Sequence, residues 1–145
     1  MSPSQRTQSK STTDAELVEL SIPARPEFLT LPRMTAAAVA SRAAFDVEEV
    51  EDIRLAIEEL CLAVFEGRGD GRLCLRLAIR AGGLEVDCTF EPVDRSSPVA
   101  QPRTALASAL TEQLLGALTD EHGTDVQAAD PRAWFRKVHL VTHVE

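Results

Sequence analysis

An α+β fold, a two-layer sandwich with helices on one face of a mostly antiparallel sheet, is what this chain predicts. Three observations lead there. Residues 46–65 open on a capping signal and carry apolar side chains three and four apart, the mark of a helix with one buried stripe. Two runs alternating apolar with polar flank a Gly82–Gly83 pair, the mark of a hairpin. The elements follow as strand, two helices, hairpin, helix, hairpin, and no internal repeat interrupts them.

Residues 1–15 are expected to be a disordered N-terminal tail, since Ser, Thr, Gln and Lys dominate and little apolar surface is present to offset ordering entropy. Residues 16–145 form the single folded domain. Leu17–Ile22 alternates apolar with polar and predicts an edge strand closed by Pro23. The first helix starts either with Pro26 in its first turn or with Thr30 as cap and Pro32 inside the first turn; Arg33–Ala44 is helical in both readings. Asp46 caps the second helix and Glu49 reaches back to it. Val50, Ile53, Ile57, Leu60 and Val64 then form the core stripe, and Gly67 ends it.

After a turn at Gly69–Gly71, Leu73, Leu75, Leu77 and Ile79 share one strand face. Counting back from a Gly82–Gly83 turn places Arg80 opposite Glu85 and Ile79 opposite Val86, with Leu84, Val86, Cys88 and Phe90 completing the covered face. Prolines and serines make Glu91–Arg103 a loop. Thr104–Thr119 is predicted helical with Leu106, Leu110, Leu114, Ala117 and Leu118 toward the core. A last hairpin, Asp125–Ala129 and Ala133–Thr142, turns at Asp130–Pro131.

The formal net charge of −8 argues against nucleic acid as a partner, because such proteins need a basic face. No apolar run approaches the ~20 residues that span a bilayer, so no membrane partner is expected. Cys61, Cys74 and Cys88 are odd in number and form no CxxC pair, which fits a reducing cytoplasm, with a redox role for Cys61 as the alternative. His139 and His143 lie four residues apart on a strand, about 13 Å, too far to share a metal. His122 follows the third helix and is expected to complement its negative C-terminal end. No metal site is expected.

Glu59 is the candidate for chemistry. It lies about 140° around the second helix from the core stripe, with Leu55, Leu62 and Ala63 nearby. A carboxylate among apolar neighbours can act as a general base. The other reading is a solvated glutamate on the outer helix face, and spacing alone favours it.

The runs LSIPARPEF…PRM (Leu20–Met34) and FDVEEVEDIRLAIEELC (Phe45–Cys61), followed by the glycine-turn hairpin, resemble anti-sigma factors of the serine-protein-kinase (RsbW-like) type. These belong to the GHKL (histidine-kinase-like, Bergerat) ATPase superfamily, and the chain looks closest to their actinobacterial branch. The resemblance spans Leu17 to His143 and implies an ATP-dependent kinase and regulator of transcription in the stress response. It implies Glu59 as the catalytic base, but puts Ala63 at the asparagine position that holds Mg2+. The adenine-anchoring Asp-x-Gly falls on Phe90-Glu91-Pro92, with Asp87 as a displaced substitute. The glycine-rich phosphate lid falls on Thr104–Thr111, which holds no glycine.

The resemblance therefore implies a cleft without ATP or Mg2+, and a protein that works by contact. Its implied partners are a sigma factor, an anti-anti-sigma factor with a STAS domain and a second copy in a homodimer. Arg33 matches a family arginine at that contact surface, with Glu27 and Arg42 nearby; an exposed arginine making a weak ion pair is the plainer reading of Arg33. Two further readings stand. One is an active serine kinase in which ATP and Mg2+ still bind; the other is a sensory module whose altered cleft holds a different small molecule.

Overall fold

The computed structural model describes residues 16–80, 82–94, 103–126 and 130–138. The expected tail at 1–15, His139, His143, residues 127–129 and the end of the last expected strand lie outside them.

Five strands, β1 (Glu16–Pro23), β2 (Gly71–Arg80), β3 (Gly83–Pro92), β4 (Glu121–Asp125) and β5 (Arg132–Val138), form one antiparallel sheet in the order β1-β2-β3-β5-β4. Three helices, α1 (Thr30–Arg42), α2 (Val47–Phe65) and α3 (Ala105–Leu118), cover one face. The α+β sandwich is as expected, with β1 on an edge.

A short 3-10 turn, Pro26–Phe28, precedes α1, whose N-cap is Leu29. Thr30 therefore does not cap; its hydroxyl accepts from Arg33 Nη2 at 3.3 Å. The helix stops at Arg42, short of the expected Ala44, which adopts a φ of 65°. That left-handed conformation cannot continue a right-handed helix. Asp46 and Glu49 form the reciprocal capping box, with Asp46 Oδ1 accepting from Glu49 N at 2.8 Å and Glu49 Oε1 from Asp46 N at 2.9 Å. Ile53, Ile57, Leu60 and Val64 of α2 are fully buried, each contributing roughly 1.5–3 kcal/mol of transfer free energy.

The β2–β3 hairpin turns one residue earlier than the glycine pair suggests. Arg80 pairs with Gly83 and Ile79 with Leu84, so the ladder already includes Gly83. Gly82 supplies the positive φ of 77°, whereas Gly83 belongs to the strand, where a Cβ would lie 2.8 Å from the Lys137 carbonyl oxygen. The slip moves each partner by two residues, so apolar still faces apolar. Arg80 reaches Glu85 diagonally, Nε to Oε2, at 2.8 Å.

Two other expectations fail. In α3 the buried residues are Thr111 and Leu115, while Leu106, Leu110 and Leu114 are 70%, 50% and 46% exposed. The last hairpin begins at Glu121, and Gly123 lies within β4 because Trp134 of β5 packs where its side chain would be.

The face of the sheet away from the helices carries one sign of charge per strand. Glu19 of β1 pairs with Arg76 of β2, which pairs with Asp87 of β3. Arg72 faces Glu91, Arg136 of β5 lies between Glu85 and Glu121, and Arg132 faces Asp125. Opposite charges in adjacent strands stabilise the sheet by a few tenths of a kcal/mol each and keep this face wet.

Candidate functional site

Glu59 projects from α2 toward α3. Its Oε1 accepts the Thr111 hydroxyl at 2.7 Å, and Thr111 is 2% exposed. Thr111 Oγ1 in turn accepts from Arg103 Nη1 at 2.7 Å, and Arg103 Nε reaches Glu66 Oε1 at 3.2 Å. The Arg103 side chain is 9% exposed. Glu59 is thus half-buried and bonded, which corrects the solvated reading. The network was missed because α3 was oriented by its leucines; Thr111 shares a helix face with Leu115 and Leu118, the signal that could have revealed it.

The same helices are tied at their other ends. Lys137, on β5 beneath them, donates to Asp52 Oδ2 at 3.2 Å and to the Leu118 carbonyl at 2.9 Å. Positions 52 and 59 of α2, and 66 just past it, therefore lie level with 118 and 111 of α3 and with 103 just before it, an antiparallel pair.

Around Glu59 the other expected positions are apolar or otherwise engaged. Ala63 is buried at 2% exposure and offers no side-chain oxygen. Phe90, Glu91 and Pro92 continue β3, paired with Leu73, Arg72 and Gly71. The Phe90 ring is 6% exposed, with the Arg68 guanidinium 5.8 Å from its centroid. Burial lowers the Arg68 pKa from its usual value, and Arg68 Nη2 donates to the Val126 carbonyl at 2.5 Å. Thr104–Thr111 opens α3, as the predicted helix over Thr104–Thr119 expects, with Thr104 Oγ1 capping Ala107 N at 3.0 Å.

Asp87 sits on the opposite sheet face from Glu59, between the buried Val86 and Cys88, and pairs with Arg132 at 2.5 Å. It lines a shallow cavity of about 270 Å³ with Glu19, Ser21, Cys74, Arg76 and Thr89. The structure does not bring Asp87 and Glu59 together.

The partner-surface candidates also separate. Glu27 is exposed in the 3-10 turn. Arg33 packs against α2, with Nη1 3.5 Å from Glu58 Oε1, and its buried Nε finds no hydrogen-bond partner among the described residues. Arg42, nine residues on and so on the opposite side of α1, grips Glu16 with Nε at 2.5 Å and Nη2 at 3.1 Å. His122 does not cap α3; its Nε2 lies 2.9 Å from Glu112 Oε2 because β4 starts early enough to bring it under that helix. Cys61 is fully buried beside Cys88, which fits packing rather than sensing. Among the described residues no cluster of three His, Cys, Asp or Glu could hold a metal. No described helix is long and apolar enough to cross a membrane.

Three helices laid on a five-stranded antiparallel sheet, with a central-helix glutamate aimed along that layer, make an α+β two-layer sandwich. Among curated proteins the chain is similar to serine-protein kinases RsbW over about half of its length. The chain is 34% identical over 77 residues to serine-protein kinase RsbW of Bacillus pumilus (strain SAFR-032), covering 49% of this chain and 48% of that protein. It is 34% identical over 73 residues to RsbW of Listeria monocytogenes serotype 4a (strain HCC23), covering 48% and 46%. To RsbW of Bacillus subtilis (strain 168) it is 30% identical over 77 residues, covering 50% and 48%. The chain thus spans about half the length of the curated relatives it matches. No family model matches it.

Proposed function

We propose that the protein is an anti-sigma factor that sequesters an alternative sigma factor by direct contact and has lost phosphoryl transfer. In this reading it acts in the cytoplasm as a homodimer within a stress response, and an anti-anti-sigma STAS partner releases it by competing for overlapping surface. The observation that carries the proposal is the donor set around Glu59. Phosphoryl transfer depends on positioning a nucleotide and its metal. Here the metal position is Ala63, the adenine position continues a β-ladder, the lid position Thr104–Thr111 is a helix start without glycine, and Glu59 is bonded to Thr111. These residues do not fit Mg2+-ATP, because a hard cation needs oxygen ligands that are not offered there. Partner binding requires none of them. Glu27 and the adjoining start of α1, with Arg33, supply the contact surface in this reading.

The test is calorimetric titration of the purified chain with its cognate sigma factor, with and without Mg2+-ATP, followed by incubation with the STAS partner and labelled ATP. Binding independent of nucleotide, competition by the STAS partner and no label on that partner are expected. A labelled serine on the STAS partner would establish the active kinase instead, and absent sigma binding would remove the anti-sigma reading.

A further inference from the structure

The helix layer carries an apolar strip that nothing in the described structure covers. Leu106, Leu110 and Leu114 of α3 are 70%, 50% and 46% exposed, and Leu55 of α2 is 47% exposed. The antiparallel ties between the helices place Leu55 level with Leu114–Leu115, and the half-buried Leu62 level with residues 107–108. One exposed leucine is ordinary surface; a run along two adjoining helices is the usual mark of a docking site.

Charge says what kind of partner fits. The outer positions 105, 106, 109, 110, 113, 114 and 117 of α3 hold no ionisable side chain, and its one acid, Glu112, is turned down onto His122 and Thr124 of β4. Small residues at 105, 109 and 117 let a second helix lie close. Acid outnumbers base around Leu55 and Leu62: Glu48 is exposed on α2, Glu51 is exposed and paired with Arg54, and Glu66, just past the helix, is exposed and paired with Arg103. A second copy of this chain would bring the same surplus of acid, and a formal charge of −8, against it.

We propose that the outward groove between α2 and α3 docks an amphipathic helix of a partner protein whose apolar stripe is bordered by lysine or arginine. The leucine strip takes the stripe, as helix-in-groove recognition does, and the α2 acids meet the basic border. This surface is on different helix faces from Arg33 and stands whether or not a sigma factor is the bound protein.

The probe is a labelled synthetic helix with leucines at i, i+3, i+4 and i+7 and lysines on both borders, compared with the same stripe bordered by glutamates. Fluorescence anisotropy with the whole chain should give saturable binding of the lysine peptide that weakens with salt, and at least about tenfold weaker binding of the glutamate peptide. Leu110→Asp and Leu114→Asp should each weaken the lysine peptide by at least about tenfold with an unchanged circular dichroism spectrum. Both add negative charge, so merely unspecific attraction would strengthen instead. Leu106→Asp, at the most exposed position, serves if either variant fails to fold. Equal binding of the two peptides, no binding, or undiminished binding by the aspartate variants would overturn the proposal. So would a wild-type dimer in sedimentation that Leu110→Asp dissolves, because the occupant would then be a second copy.

Discussion

Thr111 donates its hydroxyl to Glu59 across 2.7 Å, joining the third helix to the second at the residue that chemistry would have used. Both partners gain from it: the carboxylate is satisfied in a half-buried setting, and the buried hydroxyl has an acceptor. Arg103 closes the chain from the other side by donating to the same oxygen at 2.7 Å. Thr111→Val keeps the shape but removes donor and acceptor together, leaving Glu59 and the nearly buried Arg103 each one bond short. A loss of about 1–3 kcal/mol is expected in urea unfolding. An unchanged midpoint would mean the network does not hold the helices together.

Gly71 is a close approach of strand to strand. A Cβ there would lie 2.5 Å from the Glu91 carbonyl oxygen and 2.5 Å from the Phe90 ring, whereas at Gly69 nothing lies within 4 Å. Gly71→Ala is expected to destabilise by about 1–3 kcal/mol because backbone must move. Gly69→Ala, nearby in sequence, should be neutral or slightly stabilising. Thermal unfolding of the pair checks the contrast.

Acid stability should depend on Glu112. The Thr124 hydroxyl at 2.7 Å holds this carboxyl below its usual range; burial opposes it, and His122 adds to the lowering. A lowered folded-state pKa stabilises the fold fully above the unfolded value, and that contribution disappears as pH falls below about 4.3. Urea midpoints of wild type should therefore decline more steeply with acid than those of Glu112→Gln. Parallel curves would contradict this.

The cysteines should react in a fixed order. Cys61 and Cys88 are fully buried, and the neighbouring Cys61 thiol together with burial pushes the Cys88 pKa well above its usual value. Cys74 is only half-buried. A thiol-disulfide reagent should label one thiol, Cys74, in the native protein and the other two only on unfolding. Prompt native labelling of Cys61 in a Cys74→Ser variant would restore the sensing reading.

Much of the fold was legible because the signals are local. The Asp46–Glu49 box and the stripe from Ile53 to Val64 specify α2 within one segment, and the alternation through β2 and β3 survives a shifted turn because a two-residue slip preserves which face each side chain meets. Glu59, Ala63 and Phe90 were placed as positions, but their surroundings were not. The reason lies in α3, which has two stripes about 100° apart, Leu106–Leu110–Leu114 and Thr111–Leu115–Leu118. Periodicity favours the first for its leucines, whereas the tie to Glu59 and the position of β4 bury the second. Likewise nothing local to Gly123 reports that Trp134 will need its space.

The central claim is that this domain acts by surface contact without holding a nucleotide. Thermal unfolding of the purified chain with saturating Mg2+-ATP tests it most directly, since a ligand bound only by the folded state raises stability by RT ln(1 + [L]/Kd). The account predicts a melting temperature unchanged by nucleotide. A rise of several degrees that Glu59→Ala removes would contradict it.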